Sequence, residues 1–186
     1  ELAEKSTEFV YDKALDKKIN EKILSGIKNN NKSNIRFHFN DIRKVIKKLD
    51  SSYDIIFHDG FAPHKQAELW SEELILEISK KLSDNGLYLT YNHSKPVLKA
   101  LKNAGLYLGK VVKEARAIST VASKNKSLIL NPLDEIELME LETKSAITYK
   151  DPTLSLSHAE IVKNREEEIK NSNLETMSHF LKRMKD

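Results

Sequence analysis

Tyr53-Asp54-Ile55-Ile56-Phe57-His58-Asp59-Gly60-Phe61-Ala62-Pro63 decides how the rest of the chain is read. Its first half is a near-continuous apolar run, the pattern of a strand buried on both faces of a sheet. Its second half is a loop by composition. An aspartate at the strand tip is followed by a glycine that permits close backbone approach, an aromatic, and a proline that stiffens the turn. Together these make a shaped pocket. Asp59 can accept a proton or hydrogen bond from an attacking amine. Phe61 can stack on a nucleobase, worth about 1–3 kcal/mol in comparable sites. An Asp-Gly turn after a strand also occurs for purely structural reasons.

Working upstream, Ile35-Arg36-Phe37-His38-Phe39 alternates apolar and polar residues as a strand does, and Asn40-Asp41 closes it. Ile42 to Leu49 reads as a short lysine-rich helix. Glu4 to Ile27 reads as a longer one, ended by Gly26 and Asn29-Asn30-Asn31. Downstream, Trp70 to Leu82 is expected to be a helix capped by Ser71. Asp84-Asn85-Gly86 then reads as a turn and Leu87 to Tyr91 as a strand. A helix from Pro96 to Ala104 ends at Gly105. Leu106 to Val112, Thr120 to Ser123 and Leu128 to Leu130 supply a final strand pair with hairpin character. Strand and helix alternating in this way predict an α/β fold with a parallel sheet and helices on both faces. Ligands bind beyond the carboxyl ends of such strands. That rule selects Asn40-Asp41, Asp59 to Pro63, and Tyr91 to Ser94.

The 186 residues suit one domain with appendages, 39% of them hydrophobic and 32% charged. There is no cysteine, which excludes disulfides, thiolate zinc sites and cysteine nucleophiles and permits a cytosolic home. No apolar run is long enough to span a membrane. The histidines do not recur with acidic partners at ligand spacing, so no metal is expected. Net charge is only +3, but its distribution is uneven. Between Lys95 and Lys126 stand eight basic residues against one acid, Glu114. That stretch is either the footprint of a phosphate backbone or a solvated face. From Asp134 the balance reverses, with Glu135, Glu137, Glu140 and Glu142 following. This acidic segment lacks clear periodicity. Ser157 and Glu160 then form a capping-box pattern opening a charged helix to about Lys170, and Leu174 to Met184 reads as a last helix. The expected division is therefore 1–133 as the main domain and 134–186 as a peripheral acidic linker with a helical C-terminal extension.

Two further features bear on a cofactor. Asp41 can accept from the exocyclic amine of an adenine with Ile42 covering the ring, or it can simply cap the Ile42 helix. None of the five glycines stands one residue from another, so the chain holds no Gly-x-Gly loop.

The stretch from Tyr53 through Pro63 to His64-Lys65-Gln66-Ala67-Glu68-Leu69-Trp70 resembles the signature of MnmC-type tRNA methyltransferases, in the stand-alone form without an oxidase domain. It shares the apolar strand, Asp-Gly-Phe-Ala-Pro, the lysine and Glu-Leu-Trp. It departs at Gln66-Ala67, where Asn-Pro is typical, and at Val97-Leu98, where Val-Arg is usual. The resemblance implies a Rossmann-like class I S-adenosylmethionine-dependent methyltransferase fold whose glycine-rich segment and first strands lie before Glu1. The chain then reads as a stretch of a longer protein, with an apolar strand edge open to self-association. The implied reaction is methylation of the exocyclic amine of 5-aminomethyluridine at the tRNA wobble position, in the cytoplasm. The resemblance makes Asp59 the catalytic residue, with Asp41, Ile42, Asp59 and Gly60 at the cofactor. It puts Phe61, Ala62, Pro63, Lys65, Trp70 and Tyr91 at the substrate. Lys95, Lys99, Arg116, Lys124 and Lys126 would meet the anticodon arm. The missing glycine loop suits an alternative, a non-catalytic tRNA-binding or assembly module, and a methyltransferase with another amine acceptor is a third reading.

Overall fold

The computed structural model describes residues 38, 40–50, 52–114 and 116–185. The expected helix over Glu4 to Ile27 lies outside the described residues, as does the strand over Ile35 to Phe39 apart from His38. From Asn40 onward the chain forms one compact unit.

The first described element is α1 (Ile42–Val45), continued by a 3-10 turn over Ile46–Lys48. β1 (Tyr53–Phe57) follows and leads through the Asp59 loop to a 3-10 turn at Ala67–Trp70. Next come α2 (Glu72–Lys80), β2 (Leu82–Thr90), α3 (Lys95–Asn103), β3 (Tyr107–Lys113) and β4 (Arg116–Ser123). Beyond them lie α4 (Glu135–Glu140), α5 (His158–Asn171) and α6 (Met177–Arg183). Local chemistry sets these limits as expected. Ser71 caps α2 by accepting from the Leu74 amide at 3.4 Å, and both capping-box bonds at Ser157 and Glu160 open α5. Gly105 stops α3 at φ +83°, a backbone conformation costly for any residue with a Cβ.

The sheet order is β1-β2-β4-β3. β1 and β2 are parallel, whereas β4 runs antiparallel to both β2 and β3. The expected parallel sheet is thus a mixed one. The reason is the short β3–β4 connection, which leaves no length for a crossover and permits only a hairpin. That hairpin uses Arg116–Ser123 as its second strand; of Leu128 to Leu130, expected as strand, Leu128 instead ends a 3-10 turn at Lys126–Leu128 and the other two follow it. Asp84-Asn85-Gly86 is likewise not a turn between elements. It lies within β2, where Leu82 faces Tyr53 and Leu87 faces Ile55, so two steps along β1 meet five along β2. Turn-forming residues here make a bulge rather than a chain reversal.

β1 is the edge of the described sheet. Contrary to the expectation of burial on both faces, Ile55 is 53% and Phe57 75% exposed, while Ile56 packs on the core. That core is built from Trp70, Leu74 and Ile75 below the loop, Leu82 and Tyr88 of β2, and Val97 and Leu101 of α3. Leu133, Leu141, Ala146 and Leu154 belong to the same cluster. The C-terminal segment therefore does not sit at the periphery: its composition changes at Asp134, but its apolar residues close the same core. Backbone pairing adds to this, with the Glu72 amide donating to the Tyr149 carbonyl at 2.8 Å.

Candidate active site

At the end of β1 the His58 amide donates to the Leu89 carbonyl at 2.9 Å, holding the loop to the tip of β2. The His58 ring is buried and lies flat on Trp70, with centroids 4.3 Å apart and planes within 9°. Its Nδ1 is hydrogen-bonded to the Tyr88 hydroxyl. Burial pushes the His58 pKa down to about 4, against a smaller opposing effect from a hydrogen bond with the Leu69 backbone. Burial also raises the Tyr88 phenol well above its ordinary value. Both groups are neutral at physiological pH and act as structural supports. The unfolded chain protonates His58 near pH 6.5, the folded protein only near 4. Between those values the unfolded state holds the extra proton, so stability is complete above pH 6.5 and falls as the pH drops toward 4. The loss approaches roughly 3 kcal/mol. Urea midpoints across this window should show that slope, and His58→Gln should flatten it; equal slopes in both proteins would remove His58 as the source.

Two neighbours pin consecutive carbonyls of the loop. Trp70 Nε1–H donates to the Phe61 carbonyl at 2.5 Å, and the Tyr91 hydroxyl donates to the Gly60 carbonyl at 2.8 Å. Trp70 and Tyr91 themselves meet edge to face at 6.1 Å. Gly60 has a steric reason to lack a side chain, because a Cβ there would come within 2.8 Å of Leu69 Cδ1. With its backbone fixed from beneath, the loop leaves Asp59 exposed and Phe61 65% exposed. They border an open cleft of about 650 Å³, within the usual range for small-molecule sites.

Of the expected residues, the cleft brings together Asp59, Gly60, Phe61, Ala62, Lys65 and Tyr91. His64 and Gln66 join them, adjacent in sequence but not singled out for substrate contact. Pro63 shapes the turn without lining the cleft. Trp70, expected at the substrate, is fully buried and outside the cleft lining; it reaches the site through the Phe61 carbonyl.

Asp41 and Ile42 lie outside that lining. Ile42 is half-buried against the core. The Asp41 carboxylate caps α1 through the Arg43 amide at 3.0 Å and accepts from the Arg43 guanidinium with both oxygens. Burial works to raise its pKa, but the Arg43 hydrogen bonds and charge outweigh this and hold the carboxyl below its ordinary value. Arg43 also donates at 2.8 Å to Asp151, whose side chain is fully buried, and at 2.8 Å to the Leu156 carbonyl. Asp151 in turn accepts from the Ser155 and Leu156 amides at 2.9 and 3.0 Å. Nearby, His158 at the start of α5 accepts from the Ala67 amide at 3.0 Å. The C-terminal segment thus braces both Asp41 and the far end of the Asp59 loop. Arg43, Asp151 and His158 escaped the reading of the sequence; only the Asp-x-Arg spacing at Asp41 hinted at any of them.

The basic stretch is largely neutralised within the chain. Lys95 pairs with Glu140 at 2.5 Å, Lys99 and Lys102 with Glu142 at 2.6 and 2.9 Å, and Lys110 with Glu137 at 2.8 Å. Lys124 donates to the Leu82 carbonyl at 2.6 Å. Arg116 and Lys126 are exposed. The acidic run that follows the basic one in sequence folds back to cover it. Among the described residues no group of His, Asp and Glu is placed to hold a metal ion, and no helix is long and apolar enough to cross a membrane.

Comparison with known proteins gives this geometry a lineage. Residues 4–125 match a family described as S-adenosyl-L-methionine-dependent methyltransferase. An uncharacterized protein of Methanocaldococcus jannaschii is 34% identical over 137 residues, 72% of this chain and 38% of that protein. The tRNA 5-methylaminomethyl-2-thiouridine biosynthesis bifunctional protein MnmC of Campylobacter hominis is 37% identical over 67 residues, 36% of this chain and 10% of that protein. The crystal structure of MnmC2 from Aquifex aeolicus superposes with a TM-score of 0.66 at 28% identity, covering 72% of this chain and 44% of that one. The chain therefore spans less than half the length of each of these relatives. Its mixed sheet with packed helices is the Rossmann-like α/β arrangement. A matched segment running through the Asp59 loop and the entire sheet establishes that the chain belongs to the S-adenosyl-L-methionine-dependent methyltransferases, and within them its partial likeness is to MnmC proteins.

Proposed function

We propose that this chain presents an amine to S-adenosylmethionine for methylation, the amine being the exocyclic group of 5-aminomethyluridine at the tRNA wobble position. The observation that carries the reading is the cleft in which exposed Asp59 and Phe61 stand on a loop pinned by Trp70 and Tyr91. When bound, S-adenosylmethionine supplies an electrophilic methyl group. Asp59 orients the amine and takes a proton from it, because only the neutral nitrogen has a lone pair to attack. Phe61 stacks on the uracil ring, Lys65 meets a neighbouring phosphate, and Ala62 and Pro63 set the depth of the turn. The rigid loop keeps the carboxylate in place without further ordering at the moment of reaction.

The residues present fit the cofactor in part. Asp41 retains 30% side-chain exposure while bound to Arg43, and a carboxylate has lone pairs beyond those used. It would hold the adenine amine, with Ile42 beside the ring, and Asp59 and Gly60 would border the reacting end. The chain contains no Gly-x-Gly segment for the ribose and amino-acid portion. The second reading is a tRNA-binding or assembly module without catalysis. A tRNA acceptor would place the protein in the cytoplasm.

The test is transfer of labelled methyl from S-adenosylmethionine to tRNA bearing 5-aminomethyluridine, with tRNA lacking that group as control. It is run on this chain and on a form extended at its N-terminus, with cofactor binding measured by calorimetry. Label confined to the modified tRNA supports the proposal. Binding of tRNA with neither cofactor binding nor transfer in either form replaces it with the module, and transfer to a different amine changes the acceptor.

A further inference from the structure

β4 lies antiparallel to β2 with Thr120 opposite Thr90, the last residue of β2. Arg116 to Ser119 and their β3 partners Val111 to Lys113 therefore run on past that end of the sheet. Four residues at roughly 3.3 Å each carry the hairpin about 13 Å beyond the edge. This is the edge from which the Asp59 loop also emerges, since Phe57 faces Leu89. β1 and β4 are two strand spacings apart, about 10 Å. The hairpin end exposes Lys113, Glu114 and Arg116, flanked by Val112 at 44% and Ile118 at 50% exposure.

The other cations of the basic stretch are placed differently. Lys95, Lys99, Lys102 and Lys110 are matched by Glu137, Glu140 and Glu142. Lys124 and Lys126 follow the other end of β4, where Lys124 reaches Leu82 at the start of β2. A polyanion approaching the Asp59 edge meets Lys65 on the loop and Lys113 with Arg116 on the hairpin. We propose that the β3–β4 hairpin end grips the RNA backbone beside the target nucleotide, Lys113 and Arg116 meeting phosphates while Val112 and Ile118 support the adjoining bases or sugars. This rests on the tRNA reading above. It removes Lys95 and Lys99 from the contact surface and puts Lys124 and Lys126 at the opposite end of the sheet.

The experiment measures tRNA affinity at several salt concentrations, and cofactor affinity in parallel, for the complete protein and its variants. Lys113→Glu with Arg116→Glu is expected to weaken tRNA binding about 10- to 100-fold and to reduce the log–log salt slope by roughly 1.5–2, the equivalent of two phosphates. Cofactor affinity and melting temperature should not move. Lys113→Gln with Arg116→Gln should give a smaller loss with the same change in slope. Glu114→Gln, which removes the one acid at the tip, is expected to tighten binding. Lys102→Glu should lower the melting temperature and leave the slope unchanged. If the unaltered protein binds tRNA and both hairpin pairs match its affinity and slope, the grip is overturned alone. If the unaltered protein binds no tRNA, the grip and the tRNA reading fall together.

Discussion

Replacing Asp59 by asparagine is expected to lower methyl transfer by roughly 10²–10⁴-fold, the usual contribution of a positioned proton acceptor. Asparagine keeps the shape of the side chain and a carbonyl oxygen, but it cannot take the proton that frees the nitrogen lone pair. Because Asp59 is exposed on a loop held by other residues, folding stability should stay within about 0.5 kcal/mol. The pH profile gives a second signature. As the pH rises and the amine loses its own proton, the variant should recover more than the parent does. Transfer measured against pH at saturating tRNA checks both points, and a variant rate within a few-fold of the parent at neutral pH would remove Asp59 from the chemistry.

The largest expected effect on stability comes from a residue far from the cleft. Asp151→Ala deletes a fully buried carboxylate that satisfies two backbone amides and one side of the Arg43 guanidinium. Breaking a buried ion pair from one side typically costs about 3–5 kcal/mol. Arg43 keeps its contact with Asp41, so the lower part of that range is expected. For a protein of this size about 3 kcal/mol corresponds to roughly 6–12 °C in Tm. Asp151→Asn still offers an oxygen to the two amides and should lose about half as much. Thermal and urea unfolding of both variants provide the check; an alanine variant within about 1 kcal/mol of the parent would mean that the network is ornamental. Loosening Arg43 also frees Asp41, so weaker cofactor binding should accompany the stability loss.

Local features of this fold were legible in the sequence, because local physics decides them. Ser71 caps its helix, Gly105 ends the next one, and Ser157 and Glu160 form the box that starts α5. The Asp59 loop follows a strand and opens into a cleft for the same reason. Long-range pairing was not legible. Nothing in the spacing of the lysines shows that Lys95 and Lys99 meet acids 45 and 43 residues later. An apolar run looks the same on a central strand and on an exposed edge, so composition alone reads β1 as doubly buried; the open edge follows only from the resemblance, which puts the neighbouring strand before Glu1. The aromatic Trp70 serves a substrate or a core equally well by composition, and only its hydrogen bond to Phe61 and its complete burial separate the two. The hairpin character of the last strand pair was legible, but not the place of its reversal, since the turn between Lys113 and Arg116 carries no strong turn residue.

The tie between Arg43 and Asp151 spans 108 residues of sequence, and this bears on when the protein becomes whole during synthesis. A ribosome adding roughly 5–20 residues per second takes about 5–20 s to move from one partner to the other. Through that interval the guanidinium lacks its Asp151 partner, and Leu74 and Ile75 wait for Leu141 and Leu154 to cover them. The nascent chain therefore carries an unfinished core until Leu154 has been made, and this core closes as a late event rather than piece by piece. Slow translation after Asp134 would lengthen the exposure, giving chaperones their main opportunity to act in that window.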